Sequence, residues 1–199
     1  MPNPRLAKIK ALMQEKKAHI VRSKPTFWKP VRLIQRIQPT AKILSWLMTK
    51  ESLTARIRQH CPDMQVIVLS EQIERPLLDE SNALNLQENE QAWVRCVLLK
   101  CANKNWVYAR TIIPNPIPEN PWSHLQQLGD KPLGEVLFEL PNVKRTEFEF
   151  CAQSLKSWPH LAAHFDTQTL QSKGFARRSC FTQQQATLLL TEVFLPELI

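Results

Sequence analysis

Arg95 is a charged residue in a stretch that otherwise has the pattern of a β-strand. It alternates with large apolar residues, which predicts that its side chain points into the core or into a cavity; these residues are Trp93, Val97 and Leu99. A guanidinium group keeps its charge, so a buried one needs an anion beside it. That anion is either an Asp or Glu of the protein, in a buried ion pair, or a ligand carboxylate bound through two parallel hydrogen bonds.

Arg110 and Glu192 raise the same question on two other predicted strands. Arg110 lies on what should be the neighbour of the Arg95 strand, and two arginines on adjacent strands would form a site for a dianion unless one of them faces solvent. Glu192 interrupts an apolar strand, where an isolated carboxylate is costly. It therefore pairs with an arginine or hydrogen-bonds a ligand hydroxyl, and a role as general base is a further alternative.

A fourth candidate is the segment Lys131-Pro132-Leu133-Gly134, which has the pattern of a helix start. Amides in the first turn of a helix have no partner within the helix and attract anions. Leu133 would contribute its backbone N–H, and Gly134 would let a ligand approach closely. The segment therefore predicts a small anion-binding element.

The composition argues against several common classes of enzyme. Only three glycines are present, and the spacing of Gly129, Gly134 and Gly174 fits neither a P-loop nor a dinucleotide-binding fingerprint. No GxSxG motif supports a serine nucleophile. His160 and His164 are four residues apart, as two metal ligands on a helix would be, but the HExxH pattern is absent. We therefore expect neither a metal ion nor an organic cofactor.

The elements that must position these residues follow an α+β pattern. Apolar residues at helical spacing predict two short helices between Pro39 and Pro62, and Pro132 begins a later one. Alternating or β-branched runs predict strands at 66–69, 92–100, 105–113, 145–152, 175–182 and 186–195. Together they predict a single antiparallel β-sheet of about six strands, with helices gathered at one side or end.

The net charge of +8 is concentrated at the N-terminus. Residues 1–50 contain 12 Lys and Arg against one acid, Glu15, whereas the rest contains 14 basic and 17 acidic residues. We therefore expect a basic extension over residues 1–39, with a basic amphipathic helix over 1–22, and one domain over 40–199. A solvated arm is the simplest interpretation of the extension, and contact with anionic lipid or a partner protein is the alternative. Nucleic-acid binding is not expected, because the body lacks a basic patch.

The five cysteines are odd in number and form no CxxC pair, which favours reduced thiols in a cytoplasmic protein. Lysines interrupt the N-terminal apolar residues, so no secretory signal is expected, and no stretch approaches the roughly 20 apolar residues of a membrane span. We expect a soluble, cytoplasmic monomer.

Five segments in series resemble the bacterial chorismate lyase family. An early helical segment, Lys50-Glu51-Ser52-Leu53-Thr54, precedes them in the family order. The five segments are W-x-R-x-x-L-L at 93–99, A-R-T-x-x-P at 109–114, L-G-x-K-P-L-G-x-x-L-F at 128–138, R-R-S at 177–179 and L-L-L-T-E-x-F-L-P at 188–196. The resemblance covers residues 40–199. Two positions depart from the family pattern, since Leu53 replaces a methionine and Ala109 replaces a glycine.

The resemblance implies a sheet of about six antiparallel strands and a ligand buried beneath two helical flaps. It also implies elimination of pyruvate from chorismate to give 4-hydroxybenzoate for ubiquinone synthesis, without metal or cofactor. Arg95 would bind the ring carboxylate with the backbone amides of Leu133 and Leu53. Glu192 would hydrogen-bond the 4-hydroxyl, and Arg110 would receive the enolpyruvyl carboxylate.

Two alternatives remain open from the sequence. One is a non-catalytic domain of the same fold that binds a small effector, as in some transcription regulators, although about 39 N-terminal residues are too few for a winged DNA-binding module. The other is a related chorismatase that gives a different hydroxybenzoate, because the residues do not fix the regiochemistry.

Overall fold

Eight strands form a sheet in which every paired neighbour runs antiparallel. The computed structural model describes residues 28–87 and 89–198, and the helix expected over 1–22 lies outside them. The sheet order is β1-β6-β7-β8-β4-β3-β2, with β5 paired to β7. The strands are β1 Lys29–Pro30, β2 Gln65–Glu74, β3 Ala92–Cys101, β4 Lys104–Pro114, β5 Lys144–Arg145, β6 Glu149–Ser154, β7 Lys173–Gln183 and β8 Ala186–Phe194. Two of the strands, β1 and β5, have only two residues each. The other six correspond to the six predicted strands, and the α+β prediction is confirmed.

Five short α-helices connect or cover the strands. The two helices predicted between Pro39 and Pro62 are present, and side chains cap their starts: that of Thr40 accepts from the Ile43 amide and that of Ser52 accepts from the Ala55 amide. The helices are α1 Ala41–Leu47, α2 Leu53–His60, α3 Leu78–Ala83, α4 Leu133–Glu139 and α5 Thr167–Gln171. Short 3-10 helices lie at Val31–Ile37, Ser123–Gln127, Leu155–Ser157, Leu161–Ala163 and Pro196–Leu198.

The two faces of the sheet are distinguished by the cross-strand register. On one face, Arg95, Thr111, Leu190 and Ser179 form a row across β3, β4, β8 and β7. We call this the cavity face, and helices α1 and α2 pack on it through Ile43, Leu47 and Ile57. The opposite face, here the far face, carries the next row, which is Cys96, Arg110, Thr191 and Arg178.

Residues 28–39 belong to the domain, so the boundary predicted at residue 39 is wrong. Lys29 and Pro30 pair with β6, and the following 3-10 helix buries Ile34 and Ile37 in the core beneath the cavity face. Prolines break regular secondary structure. Here Pro30 ends a short edge strand and precedes a 3-10 helix.

Two of the five cysteines form a disulfide, so the expectation of five reduced thiols is wrong. The bond joins Cys61, which follows α2, to Cys101, the last residue of β3. No local pattern predicts this bond, because the two residues are 40 positions apart and meet only through the packing of α2 on the sheet. Cys96, Cys151 and Cys180 are free. Among the described residues, no helix is both long and apolar enough to cross a membrane.

Candidate functional site

A small, mostly enclosed cavity, here called the closed cavity, lies between the cavity face of the sheet and the first turns of α2 and α4. Its volume is about 30 Å³, enough for about one water molecule. The lining is largely apolar, with charge only at Arg95 and Glu192. The lining residues are Thr54, Val66, Arg95, Val97, Leu99, Ala109, Thr111, Pro132, Leu133, Gly134, Leu190 and Glu192. Three of the predicted site residues are therefore brought together here: Arg95, Leu133 and Glu192.

The sheet register sets the spacing between Arg95 and Glu192. Arg95 stands opposite Thr111 on β4, whereas Glu192 on β8 stands opposite Ala109, two residues along β4. Two interstrand steps and one step of two residues separate their Cα atoms by about 12 Å. Their side chains therefore approach the cavity from different directions, at a separation that a small ring would span once the cavity widens.

Arg95 is buried, and only part of its guanidinium is hydrogen-bonded. Its Nη2 donates to the carbonyl oxygens of Gly129, at 2.6 Å, and Lys131, at 3.3 Å, in the loop that leads into α4. Its Nη1 lies 3.5 Å from Oε1 of Glu71, directly across on β2, yet it is buried without a hydrogen-bond partner in the described part of the chain. The contact with Glu71 is thus one of charge attraction and leaves the N–H groups of Nη1 free for another acceptor.

Burial lowers the pKa of Arg95, and the negative charges of Glu71 and Asp130 only partly oppose this effect. The interior therefore disfavours the positive charge of this group more than its own protein partners favour it. An anion placed beside Nη1 would relieve that imbalance. The buried ion pair that the sequence left open is therefore present, with Glu71, but it gives Nη1 no hydrogen bond.

Glu192 is held from one side by Arg177, its cross-strand neighbour on β7. Nε of Arg177 donates to Oε2 of Glu192 at 2.6 Å. Oε1 receives no hydrogen bond from any described residue, and Glu192 lines the cavity. One carboxylate oxygen is thus anchored by the protein, and the other is available to a ligand.

Arg177 also binds the chain that leads into α2. Its Nη1 donates to three backbone carbonyl oxygens: that of Thr49 at 2.5 Å, that of Leu47 at 3.2 Å and that of Trp46 at 3.4 Å. These carbonyls lie at and just after the C-terminal end of α1, where the Trp46 carbonyl also accepts from the Thr49 amide. Arg177 therefore connects Glu192 to the segment between α1 and α2.

Phe148 lies between two guanidinium groups at the border of the site. Cζ of Arg145 is 3.9 Å from its ring centroid, and Cζ of Arg177 is 4.4 Å from it. Burial lowers the pKa of Arg145 to about 10, with Glu192 opposing and Arg177 adding to the decrease. Arg145 donates to Oγ of Ser179 and to the carbonyl of Lys50, which follows the carbonyls bound by Arg177.

The first turns of α2 and α4 face each other over the cavity. Leu53 and Leu133 are the first residues of the two helices, so their N–H groups have no acceptor within the helix. A Cβ atom on Gly134 would lie only 2.8 Å from Oγ1 of Thr54, so glycine permits this close approach. Leu133 lines the cavity, whereas Leu53 does not, and its neighbour Thr54 does.

Arg110 does not reach the cavity, and the prediction that it forms one site with Arg95 is wrong. Its side chain lies on the far face, where Nε donates to Glu80 at 2.8 Å and Nη1 donates to Glu74 at 2.9 Å. The cause is a β-bulge in β4: Lys100 pairs with Asn105, but Leu99 pairs with Val107. This extra residue moves the register by one, so that Thr111, not Arg110, stands opposite Arg95.

Sequence reasoning missed Arg177 and Thr54 as parts of the site. A signal for Arg177 exists, because two consecutive arginines in a strand must place one guanidinium on each face. Arg177, and not Arg110, is therefore the second arginine that lies beside the cavity. Thr54 has no such signal, since its position depends on how α2 packs against α4.

Two larger cavities occur elsewhere, but both are clefts with exposed rims. One, of about 400 Å³, lies beside Met48, Lys50 and Arg145, and the other, of about 490 Å³, lies between Arg58 and Lys131. Neither contains the buried, partly unpaired groups that distinguish Arg95 and Glu192. The small closed cavity is therefore the better candidate for chemistry that must exclude water.

The sequence is similar to one family of enzymes along most of its length. A family model described as chorismate lyase matches residues 23–199. A protein of Hydrogenovibrio crunogenus described as a probable chorismate pyruvate-lyase is 42% identical over 184 residues, which are 92% of this chain and 98% of that protein. A protein of Aromatoleum aromaticum with the same description is 37% identical over 161 residues, 80% of this chain and 87% of its own.

Solved structures of regulator domains share the fold. The C-terminal domain of PhnF gives a TM-score of 0.51 at 10% identity, covering 67% of this chain and 84% of that domain. A GntR-family transcriptional regulator of Bacillus cereus gives 0.50 at 9% identity, covering 69% of this chain and 94% of that one. At these identities the likeness concerns the fold alone.

Proposed function

The chain belongs to the chorismate lyase family, and on this premise we propose that it eliminates pyruvate from chorismate inside the closed cavity and leaves 4-hydroxybenzoate. In this role it is a carbon–oxygen lyase that acts at the first committed step of ubiquinone biosynthesis. The observation that supports the cavity as the site is a pair of unsatisfied groups at its charged ends: Nη1 of Arg95 and Oε1 of Glu192.

Arg95 binds the ring carboxylate in this proposal. The free Nη1 donates to one carboxylate oxygen, while Nη2 stays on the carbonyls of Gly129 and Lys131 and so keeps the guanidinium fixed. The backbone amides of Leu133 and Leu53 add two neutral donors from the starts of two helices. Arg110 has no part in binding, because Glu74 and Glu80 already hold its charge on the far face.

Glu192 accepts the hydrogen bond of the 4-hydroxyl at the other end of the ring. The carboxylate is a better acceptor than water would be, because Arg177 fixes Oε2 and leaves Oε1 directed to the ligand. The apolar residues between the two ends, such as Val97, Leu99 and Leu190, contact the faces and edges of the ring.

The reaction asks for orientation more than for a reactive side chain. The hydrogen on ring C4 moves to the methylene carbon of the enolpyruvyl group, the ether bond at C3 breaks, and the ring becomes aromatic. Every bond that forms or breaks lies within the substrate, so the protein supplies no nucleophile. Its contribution is to hold the enolpyruvyl group over C4 and to stabilise the charge that develops on the ether oxygen. If the hydrogen leaves as a proton instead, Glu192 is the base within reach.

Entry of the substrate requires α2 and α4 to separate, because the cavity in its closed form holds about one water molecule. Closing again removes water from around Arg95 and Glu192 and strengthens their contacts with the substrate. Slow release of 4-hydroxybenzoate is a natural consequence of such a covered site.

A product assay tests the proposal directly. Purified protein with chorismate and a metal chelator is expected to give equal amounts of pyruvate and 4-hydroxybenzoate, measured by chromatography against a sample without protein. Folded protein that forms neither product would contradict the proposal. Binding of chorismate without turnover would favour the effector-binding alternative, and a different hydroxybenzoate isomer would favour the related chorismatase.

We also propose that the protein works as a cytoplasmic monomer on a small-molecule substrate, without nucleic acid. Residues 1–50 carry 12 basic residues and one acidic residue, so the N-terminal region suits transient contact with an anionic membrane surface or an acidic partner. Co-sedimentation with anionic vesicles, comparing the full chain with one that begins at Trp28, tests this contact. Equal sedimentation of the two would exclude a role for the first 27 residues.

A further inference from the structure

Arg177 is buried as deeply as any charged residue described, yet it does not line the cavity and touches no reacting atom in the reaction above. It has two sets of partners: Nε holds Glu192, and Nη1 holds the carbonyls of Trp46, Leu47 and Thr49. A purely structural ion pair would need only the first set. The second set belongs to the chain segment that enters α2 four residues after Thr49, where the cover of the cavity begins.

We propose that Arg177 is a positioning residue that sets the Glu192 carboxylate toward the ring hydroxyl and is itself held in place by the backbone carbonyls of the segment before α2. The inference rests on the proposed function, because it assumes that Glu192 receives the ligand hydroxyl. Arg177 itself does not line the cavity, so it acts through Glu192 and not by touching the substrate.

The shape of the guanidinium explains why the position calls for arginine. Its plane lies over the Phe148 ring, with Cζ 4.4 Å from the centroid, which limits rotation of the group. Nε and Nη1 then point in fixed, different directions, one to the carboxylate and the other to the three carbonyls. A lysine ammonium is a point charge that can approach either set of partners but cannot hold both with one rigid fork.

The expected consequence concerns selectivity for the ring hydroxyl. If Arg177 orients Glu192, its replacement weakens binding of ligands that carry a 4-hydroxyl and leaves ligands without one unaffected. The probes are 4-hydroxybenzoate and benzoate, which share the carboxylate bound by Arg95. Their dissociation constants are measured by titration calorimetry with the full chain.

Arg177→Lys is expected to reduce the preference for 4-hydroxybenzoate over benzoate by at least about tenfold, as judged against typical hydrogen bonds to charged groups. Glu192→Gln is expected to reduce it to the same low value, and the double variant is expected to add no further loss. The matched control is Arg178→Lys. Arg178 is the next residue on β7 and, like Arg177, is a buried arginine in an ion pair. Its partners, Asp79 and Glu149, lie on the far face, so its variant should keep the full preference.

Three outcomes would overturn the proposal: an unchanged preference in folded Arg177→Lys, equal weakening of both ligands, or the same loss in Arg178→Lys. If Arg177→Lys does not fold, Arg177→Gln is made in the Glu192→Gln background, where no buried charge is left unpaired. There it should change neither dissociation constant, and weaker benzoate binding would contradict action through Glu192. Failure of the wild-type chain to convert chorismate would instead remove the proposed function, so the two failures are distinguishable.

Discussion

The two faces of the sheet both bury arginines, but they satisfy them differently. On the far face, Arg110 pairs with Glu74 and Glu80, and Arg178 pairs with Asp79 and Glu149. On the cavity face, Arg95 has a buried Nη1 without a hydrogen-bond partner in the described chain, and Glu192 has an oxygen that no described donor reaches.

This difference separates structural charges from charges that serve a ligand. Burial works to lower the pKa of Arg110, but Glu80, Cys96 and Tyr108 together outweigh it and the pKa is raised. For Arg95, burial prevails over Glu71 and Asp130, and the pKa is lowered. Burial of an arginine is therefore a weak indication of a binding site. The informative observation is a buried charge that its own protein leaves partly unsatisfied.

The largest effect on stability is expected on the far face. Glu80→Gln removes the main partner of Arg110 and leaves a buried guanidinium with Glu74 alone. We expect the free energy of unfolding to fall by about 3 kcal/mol, measured by denaturant titration. The kcat/KM of the protein that remains folded should not change, because the far face does not contact the substrate.

The double variant Glu80→Leu/Arg110→Met provides the control for Glu80→Gln. It removes both buried charges and should recover most of the lost stability, since apolar side chains of similar size replace such a pair at little cost. A large loss of kcat/KM in folded Glu80→Gln would show that the two faces do not differ in the way described.

On the cavity face, Arg95→Ala is expected to affect activity. Loss of the carboxylate partner should lower kcat/KM at least about 30-fold, equivalent to about 2 kcal/mol of transition-state binding, measured by steady-state kinetics on chorismate. The matched control is Glu71→Gln, which removes the acid beside Arg95 without touching Nη2 or its carbonyls. Its kcat/KM should stay close to that of the wild type. Unchanged kinetics and reduced stability in Arg95→Ala would instead make Arg95 a structural ion-pair partner.

Local patterns in the sequence predicted much of this arrangement. Alternation identified the six long strands, and apolar residues at helical spacing identified the two helices between Pro39 and Pro62, α1 and α2. Charges in apolar strands identified Arg95 and Glu192, which line one cavity. These predictions succeeded because each depends on a few neighbouring residues.

The parts that could not be predicted depend on how distant segments meet. A single bulge residue between Asn105 and Val107 decided which face Arg110 occupies, and no local pattern announces such an insertion. The pairing of Arg177 with Glu192 follows from the register of β7 against β8. The disulfide between Cys61 and Cys101 follows from the packing of α2 on the sheet.

The smallest expected effect comes from adding one methyl group at Gly134 on the cavity face. It is compared with the same addition at Gly174 on the far face. In Gly134→Ala the new Cβ would lie 2.8 Å from Oγ1 of Thr54, so α2 and α4 must move apart slightly. Alanine also favours the helix, so the free energy of unfolding should change by less than about 1 kcal/mol. Affinity for 4-hydroxybenzoate, measured by calorimetry, should fall about fivefold because the cover no longer closes fully.

Two variants make the Gly134→Ala result interpretable. Adding Thr54→Ala removes the atom that the new methyl group meets and should restore the affinity. Gly174→Ala places a Cβ 2.5 Å from Cδ2 of Leu155 and 3.1 Å from Cγ1 of Val193, in the core of the far face. It should cost about 1–3 kcal/mol of stability without changing the affinity of the folded protein. If Gly134→Ala bound 4-hydroxybenzoate as tightly as the wild type, the contact between the two helix starts would have no part in closing the cavity.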